Sequence, residues 1–326
     1  MINQDILQKA IEARQSLFDE AHQSAFRLFN GFTEGDSNFA LDIYASTLVI
    51  HNYADNPMQI EAFLPEMVDY LKSSLTWLRA GIVKTRNGKT QEDKKGRLIF
   101  GEKTDARIKE HGVWYAIDLT MNRDTSFYLD TRELRKWLIG NMHGKSVLNT
   151  FAYTGSLGVA ATAGGAGQVV QTDLNRQFLN LAKDSYSLNG FPIFKKDFIA
   201  QDFFPVVAKF KSSKQFFDCV IIDPPFFSTT AKGKVDLVNE SARLINKVRP
   251  LINDGGLLIA INNALYVSGR EYMQILESLC KDGYLSIREW IPVPIDFVGN
   301  GVSTQVTDPA PFNHSTKIAV LNVKRK

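Results

Sequence analysis

The feature that most constrains the fold is a series of short apolar segments that alternate with helical patterns after residue 145. Seven segments predict strands, at residues 146–151, 167–173, 197–202, 217–223, 256–262, 284–291 and 316–323. Helical patterns lie between them, at residues 157–164, 175–189, 236–251 and 268–283. This alternation predicts an α/β fold with a mostly parallel sheet and right-handed crossovers. A long loop without a helical pattern joins the last two strands, which predicts an antiparallel pair at one edge.

The first third of the chain has a different pattern. Helical spacing covers residues 4–29, a strand pair is predicted over 39–54, and a helix with a break at Pro65 is predicted over 58–78. Two more strands are predicted over residues 112–130. A length of 326 residues accommodates two modest domains. We therefore predict a smaller α+β accessory or substrate-recognition domain over residues 1–112 and an α/β domain over 113–326.

Charge and cysteine content exclude several classes of protein. Only two cysteines are present, which excludes a disulfide framework and a four-cysteine zinc site. The net charge of +3 neither demands nor excludes a nucleic-acid partner. We expect no bound metal. The polar N-terminal segment lacks the apolar core of a signal peptide, and no apolar run approaches the roughly 18 residues of a membrane span. A cytoplasmic protein without a membrane partner is the expectation.

Residues 84–110 are the most basic stretch, with nine Lys and Arg against five Asp and Glu. A solvated hairpin or loop explains this composition. A patch that contacts the phosphates of an RNA substrate is the alternative.

The first predicted strand leads into a glycine-rich turn, in the sequence SVLNTFAYTGSLG. Gly155 and Gly158 stand where strand passes into helix, and a ligand can approach the backbone there because no side chain intervenes. Asp173 follows 18 residues after Gly155, at the end of the second strand, where its carboxylate can accept from both ribose hydroxyls of an adenosine. Phe151 and Tyr153 precede the turn and GxGxxG is absent, which favours a nucleoside ligand without phosphates. Glycines needed only for packing helix against sheet are the alternative.

The fourth strand of this domain ends in FDCVIIDPPFF. Pro224 and Pro225 fix a rigid turn, and this turn holds Asp223 and the following aromatic ring in fixed relative positions. The carboxylate or a nearby carbonyl can accept from the amino group of a base, while the ring stacks on its face. In a doubly wound sheet, ligands bind at this end of the strands. A proline-braced loop without function is the alternative.

Together these motifs resemble those of class I S-adenosylmethionine-dependent methyltransferases, and more closely the bacterial methyltransferases of large-subunit ribosomal RNA that modify cytosine C5 or guanine N7. That group shows VLNxFxYTGxxxVxA and DPPxF, which correspond here to VLNTFAYTGSLGVAA (147–161) and DPPFF. Its YLDQR-like element corresponds to FYLDTR (127–132), and residues 25–50 are similar to its central domain. The resemblance implies a Rossmann-like domain whose seven-stranded, mostly parallel sheet has an antiparallel last strand. A PUA domain is not recognisable.

The resemblance also implies S-adenosylmethionine as cofactor and assigns roles to individual residues. Asp173 would hold the ribose, and Asp202 would accept from the adenine amino group. Phe203 or Leu174 would sandwich the adenine ring. The other residues expected to line the cofactor site are Asn149, Phe151, Tyr153, Thr154, Gly155 and Asp223. The expected catalytic turn comprises Asp223, Pro224, Pro225 and Phe226, and the expected substrate contacts include Phe227 and Arg132.

The turn after the fifth strand bears on which atom is methylated. A cytosine-C5 methyltransferase needs a thiolate nucleophile, and such family members carry a cysteine at this turn. This chain has Asn262 and Asn263 there, similar to the SNN-like sequence of the guanine-N7 branch. Nitrogen-7 has its own lone pair, so alignment of base and methyl donor suffices. Asn263 is therefore expected to be catalytic and Asn262 to bind substrate, with simple turn formation as the alternative.

The long loop 292–315 lies where a lid over the ligand edge is expected, and it contains His314 as a candidate substrate contact or an ordinary surface histidine. The leading prediction is a methyltransferase acting on a base of ribosomal RNA, with guanine N7 favoured over cytosine C5. A methyltransferase of a small molecule or protein and a non-catalytic binding protein with this fold are the alternatives. The sequence leaves the oligomeric state open.

Overall fold

A computed structural model describes residues 4–265, 267–298 and 316–325 of the chain. The described residues form two compact units. One comprises those within Met1–Leu129 and Pro294–Gln305, and the other those within Asp130–Val293 and Val306–Lys326. The domain boundary predicted at residues 112 and 113 lies in the turn of a hairpin, and the domains 1–112 and 113–326 stay a prediction.

The first unit is built on a five-stranded sheet. Its strands are β1 (Ala25–Asn30), β2 (Phe39–Tyr44), β3 (Thr47–Asn52), β4 (Ala80–Thr85) and β5 (Arg97–Phe100). They lie in the order β1-β2-β3-β4-β5, antiparallel except for the parallel pair β3–β4. The helices are α1 (Gln4–Ala13), α2 (Gly31–Glu34), α3 (Met58–Glu61), α4 (Leu64–Ser74) and α5 (Gln91–Lys95). Leucines and isoleucines of α1 and α4 pack with the apolar residues of β1, β2 and β3 in one core.

A separate hairpin completes this unit, formed by β6 (Arg107–Glu110) and β7 (Val113–Ala116). Its inner face is buried, whereas Arg107 and Lys109 on the outer face are exposed. Both cations lie over the ring of Trp114, at 4.7 and 5.3 Å from its centroid.

The second unit alternates strands and helices as the sequence predicts. Its strands are β8 (Ser146–Thr150), β9 (Gln168–Asp173), β10 (Phe198–Ala200), β11 (Phe217–Ile222), β12 (Phe227–Thr230), β13 (Gly233–Asp236), β14 (Ile252–Asn262), β15 (Leu285–Ile291) and β16 (Lys317–Val323). Its helices are α6 (Arg132–Asn141), α7 (Ser156–Ala163), α8 (Arg176–Leu188), α9 (Phe203–Ser212), α10 (Leu237–Val248) and α11 (Gly269–Cys280). A further helix, α12 (Ile295–Val298), belongs to the first unit.

Seven strands of the second unit form one sheet in the order β10-β9-β8-β11-β14-β16-β15. The first five run parallel, and β16 pairs antiparallel with both β14 and β15. Alternate residues of the central strands enter two cores, one shared with α6 and α7 and the other with α9, α10 and α11. Because helices cover both faces, these strands carry buried apolar residues on both faces. The predicted sheet, with its antiparallel last strand, is confirmed.

Two local predictions were wrong, and one hairpin was not predicted. Of the two strands predicted over residues 112–130, only β7 forms, and Leu129–Thr131 is a 3-10 helix. The helical spacing predicted over residues 4–29 ends at Ala13, and Ala25–Asn30 is strand β1. All six residues of β1 are buried, so the strand lacks the polar–apolar alternation that would have distinguished it from a helix. The hairpin β12–β13 was not predicted, since the sequence FSTTAKGKVD has little apolar alternation.

No helix in the described ranges is long and apolar enough to cross a membrane. Within the same ranges, no group of three or more His, Cys, Asp or Glu side chains is arranged to hold a metal ion.

Candidate cofactor and active site

The loop after β8 has an unusual backbone. Phe151, Tyr153 and Gly155 adopt positive φ values of 53°, 51° and 77°. For residues with a side chain this left-handed conformation costs roughly 1–2 kcal/mol each. Such strain persists where the surrounding structure imposes it, and it concentrates at ligand-binding sites. The loop is therefore a candidate ligand site on backbone geometry as well as on sequence.

The two glycines of this turn are required by packing. A Cβ on Gly155 would lie 2.5 Å from Cβ of Ala182 on α8, and one on Gly158 would lie 2.4 Å from Cδ of Gln171 on β9. Gly155 also needs its left-handed conformation to begin α7. The packing explanation thus accounts for both glycines, and it leaves the ligand-binding role to the loop that precedes them.

Asp173 holds the strained loop. It ends β9, its Oδ2 accepts from the backbone N–H of Tyr153 at 2.8 Å, and its Oδ1 accepts from that of Asn175 at 2.8 Å. Burial raises the pKa of Asp173 above its ordinary value, even though these N–H groups favour the ionised form. Each carboxylate oxygen can accept more than one hydrogen bond, so the predicted bonds to ribose hydroxyls fit beside the existing ones.

Asn149 presents an unused acceptor near the same turn. It is buried on β8, and its Nδ2 donates to Oε1 of Gln171 at 3.3 Å. Its Oδ1 has no hydrogen-bond partner among the described residues. Leaving a buried acceptor unsatisfied costs roughly 1–3 kcal/mol, which a ligand with an N–H donor would recover.

The residues predicted around the adenine ring have different surroundings. Asp202 begins α9, with Oδ1 accepting from the backbone N–H of Phe204 at 2.9 Å and Oδ2 accepting from Oγ1 of Thr230 at 2.6 Å. Phe203 is buried and stacks on Phe151, with ring centroids 4.5 Å apart. Leu174 is 65% exposed and is the more accessible of the two candidates for covering a ring. Thr230 was missed because it lies on the unpredicted hairpin.

The proline turn after β11 presents two aromatic rings beside a carboxyl group. Asp223 is half-buried, Pro224 is buried, and Phe226 and Phe227 are 46% and 55% exposed. Burial, together with the neighbouring Asp130 carboxylate, raises the pKa of Asp223 to about 7. At neutral pH this carboxyl group can therefore either accept or donate a proton.

Asp130 is the acidic neighbour that sequence reasoning missed as a functional residue, although it lies in the FYLDTR motif. Oδ2 of the buried Asp130 accepts from Oγ1 of Thr316 at 2.5 Å. Arg132, two residues later, is buried at the start of α6, with its Nε 3.8 Å from Oε1 of Glu133. Its predicted contact with substrate stays a prediction.

The two asparagines after β14 differ from each other. Asn262 is buried, its Oδ1 accepts from the backbone N–H of Ala264 at 2.9 Å, and its Nδ2 lies 3.5 Å from the carbonyl oxygen of Leu237. These contacts support the turn-forming interpretation of Asn262. Oδ1 of Asn263 has no partner among the described residues. The buried Lys317 donates from Nζ to the carbonyl oxygens of Ala264 and Val267, at 2.8 and 2.7 Å, and so fixes this turn.

Neither cysteine is poised as a nucleophile. Cys219 is fully buried in β11, and burial raises the pKa of its thiol to about 12. Burial also raises the pKa of Cys280, at the end of α11. His314, predicted as a substrate contact, lies outside the described residues.

Comparison with known proteins agrees with this geometry. Residues 53–290 match the family model of S-adenosylmethionine-dependent methyltransferases. The ribosomal RNA large subunit methyltransferase I of Photobacterium profundum is 26% identical over 88% of this chain and 74% of its own length. The ribosomal RNA large subunit methyltransferase K/L of Shewanella frigidimarina is 31% identical over 81% of this chain and 37% of its own length.

Solved structures share the fold. A proposed methyltransferase complexed with S-adenosylhomocysteine (SAH) superposes with a TM-score of 0.85 at 23% identity, covering 98% of this chain and 80% of that one. A proposed S-adenosylmethionine-dependent methyltransferase from Streptococcus mutans gives a TM-score of 0.83 at 22% identity, with the same coverage. Structural similarity at 22–23% sequence identity shows that these proteins share the fold of this chain.

The residues of the site fit the cofactor that this family uses. The unpartnered Oδ1 of Asn149 suits the amino group of S-adenosylmethionine, the carboxylate of Asp173 suits its ribose hydroxyls, and the exposed Leu174 suits its adenine face. The matching family model covers residues 53–290, which is more than half of the chain. The protein is a member of the S-adenosylmethionine-dependent methyltransferase family, and S-adenosylmethionine is its cofactor.

Proposed function

We propose that this enzyme methylates a base of ribosomal RNA, with guanine N7 favoured over cytosine C5, in the cytoplasm. The observation that carries the proposal is the turn after β11, where two exposed phenylalanine rings follow a half-buried carboxyl group. An extruded base can stack on such a ring while a carboxyl group bonds its edge. The relatives named ribosomal RNA methyltransferases support the same class of substrate.

The positions of the two cysteines favour methylation at guanine N7 over methylation at cytosine C5. Methylation at cytosine C5 needs a thiolate that adds to the ring, whereas guanine N7 attacks with its own lone pair. The sequence contains two cysteines, one buried with a pKa of about 12 and the other at the end of α11. The unpartnered Oδ1 of Asn263 is the group that we assign to the guanine edge.

The chain's own residues would act mainly by alignment. S-adenosylmethionine supplies an electrophilic methyl group when bound. Asp173 and Asn149 would hold the donor, Phe226 and Phe227 would hold the base, and Asp223 would bond the base edge. Alignment of this kind is worth several kcal/mol of barrier. Replacing Asp223 by Ala is accordingly expected to lower turnover far more than affinity for the cofactor.

Only part of the basic stretch 84–110 is free to contact RNA phosphates. Lys84 is buried, with Nζ donating to the carbonyl oxygens of Lys95 and Asn122, and burial lowers its pKa to about 8. Arg86 pairs with Asp124 and Arg97 pairs with Glu61, each at 2.7 Å. The exposed cations that we assign to phosphate contacts are Lys89, Lys95, Lys103, Arg107 and Lys109.

Transfer of tritiated methyl groups to ribosomal RNA from a strain that lacks this protein tests the proposal. Labelled RNA is expected, and nucleoside mass spectrometry should identify 7-methylguanosine. Detection of 5-methylcytidine would contradict the role given to Asn263. Unlabelled RNA, with label in a small molecule or protein, would overturn RNA as substrate. Tight cofactor binding without any transfer would indicate a binding protein.

A further inference from the structure

The second unit contains a cavity at the edge of the sheet opposite to the proposed active site. Its volume is about 330 Å³, near the lower end for cavities that hold small molecules. The lining residues that matter here are Thr162, Gln168, Tyr186, Phe194, Lys196 and Asp197. Gln168 begins β9, whereas Asp173 ends it, so the cavity lies about 17 Å from the cofactor carboxylate along the strand.

The walls of the cavity are aromatic and accessible. Phe194 is 58% exposed, and the neighbouring Pro192 is also exposed. At the inner end, the rings of Tyr186 and Phe198 meet edge to face, with centroids 5.2 Å apart. A flat ring bound in the cavity would therefore contact the apolar face of Phe194 and the packed rings of Tyr186 and Phe198.

The floor of the cavity carries ordered polar groups. Nε2 of Gln168 donates to Oδ1 of the buried Asp197 at 2.9 Å, and the hydroxyls of Thr162 and Tyr186 lie 2.6 Å apart. A second oxygen of Asp197 remains to accept from an amino group of a ligand. These groups are held in place by one another, so they need little reorganisation when a polar ring edge arrives.

The rim of the cavity is basic. Lys195 and Lys196 are both exposed and directly follow Phe194 in the chain. An exposed aromatic ring beside two cations is the combination that binds single-stranded nucleic acid, in which bases stack and phosphates pair with cations. A cavity with flat walls, an acceptor on its floor and cations on its rim fits a nucleotide.

We propose that this cavity holds one unpaired nucleotide of the RNA substrate, with its base against Phe194 and its phosphate at Lys195 and Lys196. The inference rests on the proposed function, since it takes RNA as the substrate. The nucleotide held here is not the one that is methylated, because the distance along β9 separates the two sites. The cavity therefore anchors the RNA strand at the edge of the sheet opposite to the proposed active site.

Binding of a labelled single-stranded RNA, measured by fluorescence anisotropy on the full chain, tests this proposal. Phe194→Ala should weaken binding roughly 5- to 150-fold, which corresponds to stacking energies of about 1–3 kcal/mol per base. Phe194→Tyr keeps the ring and should bind as the wild type does. Lys196→Ala should reduce the slope of log affinity against log salt by about 0.7, whereas the exposed Lys281→Ala should not.

The outcomes separate this inference from the proposed function. Methylation of ribosomal RNA by the wild type, with RNA affinities of Phe194→Ala and Lys196→Ala unchanged, would overturn the anchor alone. Absence of RNA binding by the wild type would overturn both. Adenosine monophosphate serves as a second probe: binding of this nucleotide that depends on Phe194, without an effect of the variants on RNA, would identify a free nucleotide as the ligand and contradict an RNA anchor.

Discussion

Asp173 holds the strained loop, and we propose that it also binds the ligand. The sequence pattern assigned it to a ribose, but the structure adds that its Oδ2 holds the backbone N–H of Tyr153 in a loop with left-handed residues. A carboxylate that stabilises a strained loop fixes the geometry of that loop before the cofactor arrives. The contribution to cofactor binding that we propose for Asp173 is thus partly direct and partly through the loop.

We expect Asp173→Ala to weaken binding of S-adenosylmethionine by roughly 1–3 kcal/mol or more, because both ribose acceptors and the loop contact are lost. Isothermal titration calorimetry measures the change. Asp173→Asn keeps one acceptor oxygen and should fall between the wild type and the alanine variant. Equal affinity of all three proteins would refute the assignment to the ribose.

The raised pKa of Asp223 predicts a pH-dependent effect on stability. A carboxyl group whose pKa is raised from 3.8 to about 7 in the folded chain stabilises the fold at low pH, and this contribution is lost progressively as the pH rises from about 4 to about 7. Asp223→Asn should therefore raise the melting temperature more at pH 8 than at pH 5. Thermal denaturation at the two pH values measures this.

The matched control for Asp223 is the exposed Asp184→Asn, which should shift the melting temperature equally at both pH values. A pH-independent shift for Asp223→Asn would contradict the raised pKa.

At the scale of elements, the strained loop and α7 depend on Gly155. Gly155→Ala adds a methyl group 2.5 Å from Cβ of Ala182 in a left-handed conformation. We expect a loss of about 2–5 kcal/mol in the free energy of unfolding, the sum of backbone strain and overpacking. Urea denaturation measures it. Gly190→Ala is the control, since Gly190 has φ of 69° but no atom within 4 Å of the added methyl group, so it should lose only the strain.

The elements that could be predicted from sequence are those whose own residues show an apolar stretch or a turn motif. β8, β9, β11 and β14 contain consecutive apolar residues that are buried, and the glycine and proline turns mark the ends of β8 and β11. The hairpin β12–β13 is held by contacts with distant residues, namely Thr230 with Asp202 and Gly233 against the ring of Phe204. Contacts of that kind leave no local signal.

The candidate site also contains residues that a local sequence pattern locates and residues that only distant contacts bring together. Asp173, Asp223 and the residues of the strained loop stand at strand ends that a pattern can locate. The pairing of Asp130 with Thr316, and the support that Lys317 gives to the turn of Asn262, join positions far apart in the chain. Sequence alone could not reveal them, because the order of strands in the sheet brings them together.

At the scale of the whole molecule, the first unit depends on a segment from near the end of the chain. Oδ2 of Asp296 on α12 accepts from the backbone N–H of Arg27 on β1 at 2.8 Å, and Arg27 also lies over the ring of Phe297, 4.4 Å from its centroid. Asp296→Ala leaves a buried N–H without this acceptor and should reduce the free energy of unfolding by about 1–3 kcal/mol. Urea denaturation checks this, with the exposed Asp184→Ala expected to change it by less than about 0.5 kcal/mol. An effect no larger than that of the control would show that α12 contributes little.

The place of β16 in the sheet bears on how the protein forms in the cell. β16 lies between β14 and β15, so those two strands lack their shared neighbour until residues 317–323 have been synthesised. A ribosome that adds about 5–20 residues per second leaves their edges unpaired for a few seconds after β15 is made. Unpaired edges invite association with other chains. The nascent chain is therefore expected to need protection by chaperones until β16 has been made, and the sheet to close only then.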